Sequence, residues 1–138
     1  MNAMRLAQTL ASNPFFQFAK LGTVNKNSEE HLRLGFDSFL KNHIGTLHAG
    51  ALFTVAQADA HSNLVHALEQ HNPGWKVATY TSQIFYKRPA KGPVWVNTTA
   101  PTLDWEKRVA HTVSTLNSET DEPVAELHIE FRLTQGEL

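Results

Sequence analysis

Between Ala49 and Ala60 the chain carries only three polar side chains, Thr54, Gln57 and Asp59. The run continues to about His71, where Asn72-Pro73-Gly74 stops it, because proline has no N–H to donate and clashes with the preceding turn. At 1.5 Å rise per residue, a helix of about twenty residues spans roughly 30 Å, the width of a small domain. A helix that is apolar nearly all round must be covered on more than one side. One sheet cannot do this alone, so the pattern predicts that a second copy of the chain helps to bury it, in a homodimer.

The flanking segments supply the sheet. Residues 19–25 and 29–36 read as two strands parted by Lys26-Asn27-Ser28, with Leu32, Leu34 and Phe36 alternating. After a loop over 37–48 and the helix, four strand-like segments follow at 75–86, 93–103, 107–117 and 123–134. The last is the clearest: Leu127, Ile129, Phe131 and Leu133 fall on one face, and His128, Glu130 and Arg132 on the other. Short turns between consecutive strands mean antiparallel pairing. The expected fold class is α+β, one antiparallel sheet burying its apolar face against one helix. A short helix over 3–12, halted at Asn13-Pro14, and an apolar cluster of Phe15, Phe16 and Phe18 precede it.

Composition excludes several function classes. With 138 residues, 41% apolar and 18% charged, the chain reads as one globular domain over 1–138. A net charge of −1 argues against nucleic acid and anionic membranes as partners. No apolar run approaches the 18 or so residues of a membrane span. There is no cysteine, which removes disulfides, thiolate catalysis and cysteine-bound zinc. No cofactor or metal is expected, and without a secretory pattern at the start the expected location is the cytoplasm.

Two polar stripes mark the helix. At 100° per residue, Gly50, Thr54, Gln57 and His61 lie within about 60° of one another, beginning at the helix start. Asp59, Asn63 and His66 form a second stripe roughly opposite, expected to emerge into solvent beyond residue 60. The first stripe begins in the segment Asn42-His43-Ile44-Gly45-Thr46-Leu47-His48-Ala49-Gly50-Ala51-Leu52-Phe53. Its glycines permit tight backbone geometry and close ligand approach. The helix start leaves N–H groups without intrahelical partners at the positive end of the dipole. Such donors can hold an oxyanion at a thioester carbonyl, and losing one costs about 3–4 kcal/mol of transition-state stabilisation. A plain structural connection between strand and helix would show the same glycines.

The spacing Asn-x-x-Gly-Thr-x-His-x-Gly before a long apolar helix resembles the hotdog-fold thioesterases, particularly their phenylacetate-pathway and 4-hydroxybenzoyl-CoA thioesterase branch. Asn42 stands six residues before His48, as in that family, and Gly50 matches the second of its paired glycines, while Ala49 replaces the first. Downstream, Ile84-Phe85-Tyr86-Lys87-Arg88-Pro89-Ala90-Lys91-Gly92 is similar to the family's aromatic-x-x-Pro-Ala-x-x-Gly turn. The resemblance implies a curved antiparallel sheet wrapped around a central helix, and homodimers, possibly tetramers, with active sites at the subunit interface. It implies acyl-CoA as the ligand and thioester hydrolysis as the activity. The Ala49 N–H would polarise the carbonyl, Asn42 would orient substrate or water, and His48 would brace the loop. Thr79 falls near a Ser/Thr contributed by the partner subunit in some members, and Lys87, Arg88 and Lys91 are candidates for the CoA phosphates.

One position departs from the family. Where its catalytic acid stands, nine residues after the histidine, this chain has Gln57, and an amide is neither nucleophile nor general base. His61, one turn on, has a suitable intrinsic pKa. His43 or His48 acting through water, and Asp59, about 160° away round the helix, are the other substitutes. Two readings follow: an acyl-CoA thioesterase, or a module that binds an acyl ligand and has lost hydrolysis. A structural dimer without ligand would not call for Asn42, His48 and Gly50 together.

Overall fold

The computed structural model describes residues 3–11, 16–17 and 19–136. Helix α1 spans Ala3–Ala11. Strands β1 (Gly22–Lys26) and β2 (Glu29–Leu34) form a hairpin. Asn27 and Ser28 both have positive φ at its turn, the backbone that matches the right-handed twist of the flanking strands. A single 3-10 turn at Ser38–Leu40 leads to helix α2, Ala49–His71, 23 residues long. Then come β3 (Trp75–Tyr86), β4 (Val94–Thr98), β5 (Thr102–Asp104), β6 (Val109–Ser118) and β7 (Pro123–Gln135).

The strands run in the order β1-β2-β4-β6-β7-β3, every neighbour antiparallel, with β5 beside β6. Helix α2 crosses one face of this sheet, and the result is the antiparallel sheet with a central helix expected of the hotdog fold. Leu52, Val55, Ala56, Ala60, Leu64 and Leu68 of α2 meet Leu127, Ile129 and Phe131 of β7 in a common core. The alternation expected of the last strand is present, with Leu127, Ile129, Phe131 and Leu133 buried and His128 and Arg132 exposed. No described helix is long and apolar enough to cross a membrane.

Some expected boundaries shift. The first strand starts at Gly22 rather than residue 19, because Lys20 takes a positive φ and Leu21 bonds back to Phe16. Residues 93–103 divide into β4 and β5, separated at Pro101, which has no N–H for the ladder. Asn13-Pro14, Phe15 and Phe18 lie outside the described residues.

Strand β3 is the sheet edge next to α2's open side. Of its twelve residues only Trp75, Val77 and Ile84 are half-buried, and both faces of the strand are otherwise exposed. Helix α2 is likewise uncovered along Ala49, Gly50, Phe53, Thr54, Gln57 and His61, none of which is fully buried.

Candidate active site

The loop before α2 is a closed, hydrogen-bonded unit. The Asn42 side-chain oxygen accepts from the N–H groups of Ile44 and Thr46, both at 3.1 Å, and its amide nitrogen donates to Thr46 Oγ1 at 2.8 Å. Gly45, at φ +82°, occupies the left-handed backbone region that this turn demands and that a side chain would strain. The loop is pinned at both ends, with His48 N–H donating to Leu40 O at 2.8 Å and Leu47 N–H to Ala90 O at 2.9 Å. The Pro89-Ala90 turn thus supports the loop from beneath, and Ala90 is buried there.

His48 is the N-cap of α2, in an extended conformation. Its Nδ1 accepts from the Gly50 N–H at 3.0 Å, which places the neutral ring's proton on Nε2. A Cβ on residue 50 would lie 3.3 Å from that same Nδ1, so glycine here makes room for the capping ring. In this structure Asn42 braces the loop, and His48 caps the helix.

A helix start presents four N–H groups without intrahelical acceptors. In α2, the N–H of His48 donates to Leu40 O, that of Gly50 to His48 Nδ1 and that of Ala51 to His48 O at 3.0 Å, while Leu52 opens the regular ladder, donating to His48 O at 3.2 Å. The Ala49 N–H has no acceptor among the described residues, and Ala49 is exposed. One donor is left open, at the positive end of the helix dipole. Tyr86, which the sequence reading passed over except as part of a turn motif, donates its hydroxyl to Ala49 O at 3.0 Å. Burial raises the Tyr86 pKa above its ordinary value, so the phenol stays a neutral donor.

The remaining candidates are dispersed. Thr54 donates its hydroxyl back to Gly50 O at 2.7 Å. Gln57 and His61 are half-buried further along the same stripe, with Gln57 roughly 12 Å and His61 roughly 18 Å from Ala49 at 1.5 Å per residue. Thr79 is exposed on β3 just after a register shift, opposite Arg132. Lys87 pairs with Glu126 at 3.2 Å and Arg88 with Glu122. Lys91 is exposed and has no partner among the described residues. His43 is exposed on the loop.

Of the second stripe, Asn63 and His66, beyond residue 60, are partly exposed, while Asp59 before them lies in the core. Asp59 is completely buried, bonded to Arg5 at 3.2 Å and accepting the Thr98 hydroxyl at 2.6 Å. Thr98 in turn meets Ser114 at 2.7 Å, and Arg5 also donates to Ser62. A carboxylate without such partners would not stay charged in an apolar core. Arg5 comes from α1, fifty-four positions away, a pairing that no local pattern signals.

Two cavities open round His61. One, about 450 Å³, lies between α1 and α2 and is lined by Arg5, Phe16, Gln57, His61 and Val65 among others. The other, about 390 Å³, lies between α2 and the start of β3, against Leu68, Trp75 and Val77. His61 borders both, with its ring 6.3 Å from that of Phe131. Burial lowers its pKa below the ordinary 6.5, which keeps the imidazole neutral at pH 7.

The fold has counterparts in known proteins. A family model described as a domain of unknown function, DUF4442, matches residues 6–133. No curated protein matches. A Pseudomonas aeruginosa protein of unknown function, described as a probable thioesterase, superposes with a TM-score of 0.70 at 25% identity, over 96% of this chain and 94% of its own. A thioesterase from Haemophilus influenzae superposes with a TM-score of 0.76 at 12% identity, over 98% and 92%. A Bacillus halodurans protein solved with CoA gives 0.67 at 14% identity, over 94% and 82%. The last two likenesses are of fold.

Proposed function

We propose that this chain, which belongs to the DUF4442 family, is an acyl-CoA thioesterase whose Ala49 N–H holds the thioester carbonyl oxygen. The observation that carries this reading is the open Ala49 donor, left by a helix start whose three other N–H groups are engaged. In the reaction, water gives a proton to a base as it adds to the carbonyl carbon, the oxyanion rests on the Ala49 N–H, and collapse breaks the C–S bond, releasing the acid and CoA, whose thiolate takes up the proton. Preorganised donors of this kind supply a large share of the acceleration in acyl transfer.

Within one protomer His61 lies too far along α2 to serve Ala49, so this reading takes the base across a homodimer. The exposed β3 edge and the uncovered side of α2 support that dimer, since long unpaired edges associate unless blocked. Asn42 and His48 shape the cradle, and Lys91, with no acid beside it, is the favoured contact for a CoA phosphate. The resemblance to the phenylacetate and 4-hydroxybenzoyl-CoA branch puts aryl thioesters beside alkyl ones as substrates.

Purified protein assayed against short, medium and long alkyl-CoA and aryl-CoA thioesters tests this: release of free CoA from at least one is expected. A second reading, an acyl-CoA binding module without hydrolysis, is favoured by Gln57. It prevails if no substrate turns over while acyl-CoA raises the melting temperature. Gln57→Glu separates the two further, because a rate gain would place catalysis at that helix position.

A further inference from the structure

We infer that Tyr86 is a positioning residue of the cradle: with His48, it clamps the peptide plane joining Ala49 to Gly50 from both sides. The carbonyl of that plane, Ala49 O, accepts the Tyr86 hydroxyl at 3.0 Å. The N–H of the same plane, on Gly50, donates to His48 Nδ1 at 3.0 Å. A peptide unit is rigid, so two anchors on opposite ends fix its orientation. The preceding plane, which carries the open Ala49 N–H, is held through its own carbonyl, His48 O, by the N–H groups of Ala51 and Leu52.

Both planes flanking the Ala49 Cα are therefore tethered, and the two soft dihedrals that aim the open N–H have little room to drift. Tyr86 can act this way because it ends β3 in register with Ala125 of β7, while the next residue, Lys87, donates its N–H to Val124 O at 2.8 Å. The sheet edge thus holds one side of the helix start and the loop holds the other. Its phenol does not touch the reacting atoms; it acts through Ala49. The effect belongs to the transition state, since a donor held in place gains most where charge develops on the oxygen.

This inference rests on the proposed thioesterase reading, and its test keeps the two apart. Tyr86→Phe removes the hydroxyl and keeps the ring. One neutral hydrogen bond corresponds to roughly a three- to tenfold effect, so kcat is expected to fall by that factor with KM within about twofold. Hydrogen exchange at the Gly50 amide, followed by NMR, is expected to quicken severalfold in the variant. A merely structural role would lower the melting temperature or raise KM instead, and either pattern with kcat intact overturns the inference. If the wild type hydrolyses no thioester, the thioesterase reading fails, and the exchange rate alone judges the clamp. Faster exchange at Gly50 in Tyr86→Phe then upholds it, and unchanged exchange sinks it.

Discussion

Ala49 and Asp59 stand ten residues apart on the same helix, and their polar groups are treated in opposite ways. Asp59 is sealed: its carboxylate meets buried Arg5 and half-buried Thr98, and Thr98 meets buried Ser114. Ala49 is exposed, and its N–H is the one donor of the first turn without an acceptor among the described residues. Buried polar groups must be partnered, so a closed network such as that of Asp59 fixes α1 against α2 and the sheet. An open, exposed donor surrounded by satisfied ones is free to bond water or a ligand. The contrast separates polarity that organises the fold from polarity available for chemistry.

The sharpest way to break this contrast is at its closed end. Asp59→Ala removes the carboxylate that Arg5 meets in the core, and removing one partner of a buried pair costs about 3–5 kcal/mol. Urea unfolding should show that loss, while thioester turnover per folded molecule stays near the wild-type value. A variant of normal stability that has lost turnover would make Asp59 part of the chemistry.

The open end predicts the reverse pattern. Ala49 is the first residue of α2, where proline is well tolerated, and His48 before it already has φ −65° and ψ 140°, the extended geometry that precedes proline. Ala49→Pro therefore deletes the open N–H and little else. Turnover should fall by about a hundredfold or more with only a small change in melting temperature. Unaltered turnover would remove Ala49 from the mechanism. His48→Ala sits between the two extremes: it strips the cap from the Gly50 N–H and should cost about 1 kcal/mol in thermal or chemical unfolding.

How much of this was legible beforehand follows from the range of each interaction. The ends of α2 and the alternation of β7 are local, written in Asn72-Pro73-Gly74 and in every second residue after Ala125, and they stand as read. The loop spacing pointed to the turn before α2 for the same reason, and that turn is formed. The buried pairing of Asp59 is not legible, because its partners, Arg5 and Thr98, are brought to it only by the fold. The Tyr86 hydroxyl was passed over because it reaches Ala49 across thirty-seven positions. Asn42 was legible as important, but the inward turn of its amide depends on loop geometry that the spacing does not encode.

His61 offers the smallest and most discriminating measurement, because it lies between the sealed and open regions, on the uncovered stripe. Half-buried and desolvated, it has a folded-state pKa below the ordinary 6.5. A base whose pKa is depressed by folding binds fewer protons folded than unfolded, so its contribution to stability is present above the unfolded value and is lost as pH falls. Stability should therefore decline as pH drops from about 6.5 through the folded pKa, and His61→Gln should flatten that slope slightly in chemical unfolding. An acyl group or a second protomer covering the stripe would desolvate the ring further. Adding a non-hydrolysable acyl-CoA analogue should then steepen the dependence in the wild type and leave His61→Gln unchanged. A slope indifferent to the analogue would place the acyl group away from His61 and confine the open region to the first turn of α2.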